Sequence, residues 1–318
     1  MFKHILAPLD GSTLAECALP HVVAMAEACR ARVTLLRVCE CAHTAGRIPA
    51  VDPLDWEICK TEAQAYLERL AARLGEIDVP TECVVLEGQP AESVIQFVRD
   101  SGVDLVILSS HGASGLSRWN VSSVVQKIIY RAHVATMIVR AYQPVPTELT
   151  GLRYQRLLVP LDGSRRAECI LPLATMLTNF HECQLLLTHV IPRPEMARRV
   201  PPSAEDNELA DRITERNRQE AVEYFRHLQS SFPTDFETRL LINNDVAATL
   251  HTVADEEHVD LVVLAAHGYS GQTRWPFGSV TTSFIAYGTT LLLIVQDLLP
   301  EEIKPTQAEE AAREYSGH

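Results

Sequence analysis

The sequence predicts an α/β protein built as two tandem domains, each a five-stranded parallel, doubly wound sheet with about four helices. Three observations carry this. First, the chain repeats itself: ILAPLDGSTLAECALP begins at Ile5 and LLVPLDGSRRAECILP at Leu157, while VDLVILSSHGASGLSRWNVSSV begins at Val103 and VDLVVLAAHGYSGQTRWPFGSV at Val259. The offsets are 162 − 10 = 152 and 259 − 103 = 156, so the second copy gains about four residues between the two segments. Long matched segments at a nearly constant offset mark a tandem duplication. Second, each copy holds five short, almost unbroken apolar runs, as strands covered on both faces must be. Third, helical-period stripes fall between those runs, and strands alternating with helices form parallel sheets.

The elements follow in order. In copy one the strands are expected at residues 5–9, 33–38, 83–86, 105–108 and 136–139. Leu14, Ala18, Val22 and Ala26 step along one face of a first helix, and Tyr66, Leu67, Leu70 and Leu74 along another. Pro90 opens a helix over 91–99, where a first-turn proline is tolerated, and a last helix spans 123–132. Copy two repeats the set with strands at 157–159, 185–190, 237–241, 261–264 and 291–295. Pro20 and Pro172 sit at matching places in the first helix. Either the helix kinks there, or its regular part begins there after a turn capped by Ser12 or Ser164. The expected domains are 1–145 and 152–298, joined by a linker rich in Pro and Gly, with a flexible acidic tail at 299–318 that holds a short helix over 307–315.

Composition bounds the function. Of 318 residues 47% are apolar and 22% charged, the balance of an ordinary globular protein. The net charge is 28 − 41 = −13, which disfavours a phosphate backbone as partner, so no nucleic acid is expected. No run of about 18 apolar residues exists, and the N-terminal apolar stretch is broken by Pro8 and Asp10, so the reading is a cytoplasmic protein with no membrane span and no secretory signal. Eight cysteines are too few for a disulfide scaffold in a chain of this length. Cys39 and Cys41 form a C-x-C at the end of an apolar run; most such thiols are reduced and buried, with a metal or redox role the lesser reading.

Ligands of open α/β sheets bind beyond the carboxyl ends of the strands, where strand order reverses. Two segments per copy lie at such ends. One is P-L-D-G-S after strand one, placing Asp10 and Asp162 where they accept hydrogen bonds, either from a ligand or from the local turn. The other follows strand four. It reads Ser109-Ser110-His111-Gly112 and, after nine residues, Ser122-Ser123; copy two reads Ala265-Ala266-His267-Gly268 and, after nine residues, Gly278-Ser279. Small residues let a phosphate approach free N–H groups, and the pair that opens the next helix adds an anion-favouring N-terminus. His111 and His267 either contact phosphate or fix the loop. Arg118 and Arg274 pair with phosphate or with a surface carboxylate, and Trp119 and Trp275 cover the loop's apolar underside or stack on a base, the first being the preferred reading. Val38 and Val190 end strand two. The long segments 43–55 and 193–207 follow strand two and are either lids that close over a site or surface loops.

On these motifs each copy resembles a universal stress protein domain, over residues 1–141 and 152–297. The residues that carry it are P-L-D-G-S, Gly88-x-Pro90-Ala91, and the two H-G-x-S-G loops. The resemblance implies a Rossmann-like fold. It also implies that ATP-binding members carry G-x2-G-x9-G-[ST] after strand four, with adenine and ribose contacts from the strand-one Asp and the end of strand two. The three motif glycines fall on Ser109, Gly112 and Ser122 in copy one and on Ala265, Gly268 and Gly278 in copy two, with Ser123 and Ser279 at the last position. Copy two is therefore expected to be the better adenine-nucleotide site, for ATP or AMP with or without Mg²⁺, although Asn243-Asn244 replace Glu87-Gly88 there. No P-loop and no nucleophile elbow occurs, so catalysis beyond slow ATP hydrolysis is not expected. The competing readings are a nucleotide-free interaction scaffold and a weak ATPase. Family members dimerise through strand five, so the two copies are expected to cover each other's edges as a pseudo-dimer, with a homodimer compatible and a regulatory partner unnamed.

Overall fold

A computed structural model describes residues 1–40, 53–116, 120–142, 148–195, 201–232, 234–269 and 276–297. The Arg118, Trp119, Arg274 and Trp275 positions, Cys41, most of segment 43–55, residues 196–200 and the tail lie outside them. The chain packs as two compact units, Met1–Arg153 with Ile285–Ile294, and Tyr154–Phe284 with Val295–His318.

In the first unit the strands are β1 (His4–Pro8), β2 (Arg32–Cys39), β3 (Thr81–Glu87), β4 (Leu105–Ser109) and β5 (Ala135–Val139), in the order β3-β2-β1-β4-β5 and all parallel. Every residue of β4 and β5 is buried, which accounts for their unbroken apolar runs. The helices are α1 (Thr13–Glu16), α2 (Leu19–Cys29), α3 (Pro53–Gly75), α4 (Pro90–Asp100) and α5 (Ser123–Ala132). Leu67, Leu70 and Leu74 on α3 are fully buried, as their spacing demands.

The matched prolines do not kink a helix. Ser12 caps α1 by accepting from Ala15 N–H at 3.1 Å, and α2 then starts afresh with Pro20 in its first turn, where its missing N–H costs nothing.

The second unit repeats this. Strands β6 (Arg156–Pro160), β7 (Gln184–Ile191), β8 (Glu237–Ile242) and β9 (Leu261–Ala265) run parallel in the order β9-β6-β7-β8. Ser164 caps α6 (Arg165–Glu168) by the same bond, from Ala167 N–H at 3.1 Å, and α7 (Leu171–His181) restarts with Pro172. Then come α8 (Ala204–Ser231), α9 (Val246–Glu256) and α10 (Ser279–Tyr287). Most observed strands run one to three residues longer than the expected runs, whereas β1 is shifted by one residue, taking in His4 and leaving out Leu9.

Strand β10 (Leu291–Val295) belongs to copy two by sequence but lies with the first unit, antiparallel to β5 and in register with Leu292 opposite Ile138 and Leu293 opposite Met137. The two fifth strands, whose apolar edges needed cover, thus pair with one another. Arg140 stands at the end of β5. It is 1% exposed and donates to the carbonyls of Thr290, Asn120 and Ile285 at 3.3–3.5 Å.

Candidate functional site

Strand order reverses between β1 and β4 in the first unit and between β6 and β9 in the second, so a crevice opens beyond their carboxyl ends. The two predicted segments meet in that crevice in both units.

In the first unit the turn after β1 needs Gly11, whose φ is +87°. It brings Asp10 back over the β4 loop. Asp10 Oδ1 accepts from Ser12 N–H at 2.9 Å and from the Ser12 hydroxyl at 2.6 Å, while Oδ2 accepts from Ala113 N–H at 2.6 Å. A Cβ on Gly112 would collide with that Oδ2. Asp10 therefore both caps its own turn and pins the loop. His111 is buried; its N–H donates to Ser109 Oγ at 3.4 Å, and its Nδ1 lies 3.1 Å from Ser110 Oγ. Ser122 N–H donates to Ser110 O at 2.8 Å, and Ser122 Oγ accepts from Val125 N–H at 3.3 Å, capping α5.

The cavity beside this loop holds about 400 Å³ and is lined by Asp10, Val38, Ser109, His111, Gly112 and Ser122, six of the seven residues expected there. Ser123 is not among its lining residues and stands exposed on the first turn of α5. Sequence reasoning missed Arg37, Cys39 and Cys59, which line the same cavity. Arg37 is a basic residue inside an apolar strand, which was the available signal. Its guanidinium packs 3.2 Å from where a Gly11 side chain would begin and 5.2 Å from the centre of the Tyr66 ring. Burial, with Glu16 beside it, raises the Tyr66 phenol well above its ordinary range, so that hydroxyl stays protonated.

The second unit is built alike with one addition. Asp162 Oδ1 accepts from Ser164 N–H at 2.9 Å and Oδ2 from Tyr269 N–H at 2.5 Å, and a Cβ on Gly268 would collide with Oδ2. The addition is Asp297, whose carboxylate is fully buried. Its Oδ1 accepts from His267 N–H at 3.1 Å and lies 2.7 Å from His267 Nδ1, and Arg166 Nε lies 3.5 Å from Oδ2. Copy one has Ala141 at the matching place. Here a carboxylate from beyond β10 fixes the loop histidine, a job done in copy one by Ser110. The cavity is smaller, about 120 Å³, and is lined by Asp162, Val190, Ala265, His267, Gly268, Gly278 and Ser279, which is every expected residue that lies within the described chain.

Gly278 has no left-handed φ, and a side chain there would meet only ordinary contacts, the nearest 3.6 Å away at Ala266 O. Ser122 at the same place in copy one is thus unstrained. Among the described residues no group of three or more His, Cys, Asp or Glu converges to hold a metal ion, and no helix is long and apolar enough to cross a membrane.

Comparison with known proteins agrees with the repeat. The model of the universal stress protein family matches residues 1–140 and again 153–296. A universal stress protein of Methanocaldococcus jannaschii, MJ0577, is 27% identical over 155 residues, covering 44% of this chain and 96% of that one. The Mycobacterium tuberculosis protein Rv2005c is 32% identical over 140 residues, 43% of this chain and 45% of that one. Among solved structures, a functionally unknown Pseudomonas aeruginosa protein, PA1789, superposes over 98% of both chains with a TM-score of 0.68 at 14% identity. An Archaeoglobus fulgidus universal stress protein covers 93% of this chain and 98% of its own with a TM-score of 0.62 at 15% identity. At these identities the solved structures speak to fold alone.

Proposed function

We propose that this chain, which belongs to the universal stress protein family, binds an adenine nucleotide in the crevice between the strand-one Asp turn and the loop after strand four, and does so first in its first unit. The observation that carries the reading is convergence. Two segments about a hundred residues apart, Asp10-Gly11-Ser12 and Ser109 to Ser122, meet around one cavity, and the same pair meets again in the second unit.

Cavity volume favours the first unit. Ligand cavities usually enclose about 300–1,000 Å³. The first unit's 400 Å³ falls in that range and the second unit's 120 Å³ below it. The preference for copy two rested on Gly278, and that position tolerates a side chain. In the first unit, Val38 would lie against the adenine. The N–H groups of the Gly112 loop and the start of α5 would meet the phosphates, and Arg37 would supply the positive charge. Asp10 already accepts from Ala113 N–H, so its part is to hold the loop open for phosphate as well as to reach the ribose. Any Mg²⁺ would arrive on the phosphates.

The hydroxyls that meet a base beside the crevice, Ser12 on Asp10 and Ser110 on His111, are spent holding its loops, so the nucleotide is read as a signal, acting through conformation or a protein partner in a cytoplasmic stress response. A homodimer is compatible with this reading. Equilibrium binding of ATP and AMP to the purified chain tests it: saturable binding near one per chain is expected, and none at millimolar nucleotide would transfer the weight to an interaction scaffold.

A further inference from the structure

The wall of the first-unit cavity contains two thiols that the nucleotide reading leaves without a task. Cys39 ends β2, and Cys59 lies on α3, twenty residues later in the chain. Both line the cavity. Cys39 is 3% exposed, and its thiol lies 3.9 Å from the carbonyl oxygen of Cys59. Cys59 is partly exposed. Burial first, then the hydrogen bond and charge of the neighbouring Cys59 thiol, push the Cys39 thiol up to about 11. Copy two has Ile191 in place of Cys39, so the second unit lacks the pair. Most buried cysteines are inert packing. A second cysteine whose backbone carbonyl touches the first thiol, with both lining one cavity that opens to solvent, is a different situation.

We propose that Cys39 and Cys59 are a reversible dithiol–disulfide pair, oxidised by hydrogen peroxide, whose closure ties α3 to the end of β2 and shuts the first-unit cavity against its ligand. The coupling to a ligand rests on the nucleotide reading above; the bond itself does not.

The chemistry balances. The Cys59 thiolate, the more accessible of the two, attacks one peroxide oxygen. The O–O bond breaks, giving a sulfenic acid on Cys59 and a hydroxide that leaves as water. The Cys39 sulfur then attacks the Cys59 sulfur, the S–O bond breaks, and a second water leaves with the Cys39 proton. Two thiols and one peroxide give one disulfide and two waters. An external thiol reverses the bond by exchange. Transient disulfides of this kind are the form in which they occur in reducing compartments.

The test uses the full chain, reduced, desalted, treated with hydrogen peroxide, alkylated and mapped without reductant. Cleavage after Arg37, Arg47 and Lys60 leaves Cys39 and Cys41 on one peptide and Cys59 on the next. The expected product joins these two peptides, survives in Cys41→Ser, is lost in Cys39→Ser and Cys59→Ser, and is reversed by dithiothreitol. ATP affinity, read by calorimetry, is expected to fall at least tenfold on oxidation and to recover on reduction, whereas the affinity of Cys59→Ser after peroxide is expected to match that of the same variant before it. A cross-link that persists in Cys39→Ser and vanishes in Cys41→Ser overturns the proposal, as does Cys59 ending as sulfinic acid with Cys39 reduced. A disulfide that leaves ATP affinity within twofold overturns the closure. A reduced chain that takes up no ATP overturns the nucleotide reading and the coupling with it, while the peptide map still decides whether the bond forms.

Discussion

Asp162 holds the loop of the second unit by a bond to Tyr269: its Oδ2 accepts from Tyr269 N–H at 2.5 Å, in the space that a side chain at position 268 would fill. Asp10 holds Ala113 N–H in the same way at 2.6 Å beside Gly112. The glycine of each H-G pair is there so that a carboxylate from another strand can reach the backbone.

Gly268→Val therefore expels the Asp162 carboxylate and strands a loop N–H. A charge-assisted hydrogen bond of this kind is worth about 1.5–3 kcal/mol. The melting temperature is expected to fall by roughly 3–12 °C in a calorimetric scan. Asp162→Asn, which keeps the shape, is expected to lose less than half as much. An unchanged melting temperature in Gly268→Val would show that the carboxylate bond contributes nothing.

Positions 122 and 278 behave differently. Ser122 caps α5 through Val125 N–H at 3.3 Å. Ser122→Ala is expected to cost about 0.5–2 kcal/mol and Ser122→Gly only a few tenths. Gly278→Ser, meeting nothing closer than 3.6 Å, is expected to leave stability within about 0.5 kcal/mol. Urea denaturation of the three variants checks the ranking.

The repeat and the strand runs made the fold legible, because buried parallel strands announce themselves as continuous apolar segments. The site's two segments were legible too, as matched motifs at strand ends. Three things were not. Gly278 reads as a backbone requirement only until its φ is known. Asp297 acts on His267 from thirty residues away, and nothing in copy one predicts it, since Ala141 stands there. Cys59 reaches Cys39 only because α3 lies over the end of β2. All three depend on packing between elements, which periodicity does not record.

Acid is expected to destabilise the protein through His21. Burial holds its folded pKa down to about 4 from an ordinary 6.5. As pH falls below 6.5 the unfolded chain takes up a proton that the folded chain refuses until about pH 4, so stability is lost as pH falls through that window. Between pH 7 and pH 5 the loss from this one group is up to about 2 kcal/mol. His21→Gln is expected to flatten that part of a stability-against-pH curve. An equal slope in variant and parent would refute the assignment.

Arg140 ties the end of β5 to three carbonyls, those of Asn120 ahead of α5, Ile285 on α10 and Thr290 just before β10. Burial pulls its guanidinium down to about 10, which leaves it charged at neutral pH. Arg140→Met removes the donors and leaves buried carbonyls unpaired, at an expected cost of about 2–4 kcal/mol. Arg140→Lys is expected to recover only part, because one ammonium cannot span the same three acceptors. Chemical denaturation of both variants measures it.

The central claim is that the first-unit cavity takes one adenine nucleotide. Native mass spectrometry of the reduced chain with ATP tests it most directly, using Val38→Trp to fill the 400 Å³ cavity and Val190→Trp to fill its counterpart. The account predicts one ATP on the parent chain, one on Val190→Trp and none on Val38→Trp. No ATP on any of the three at millimolar concentration, or ATP kept by Val38→Trp and lost by Val190→Trp, would contradict it.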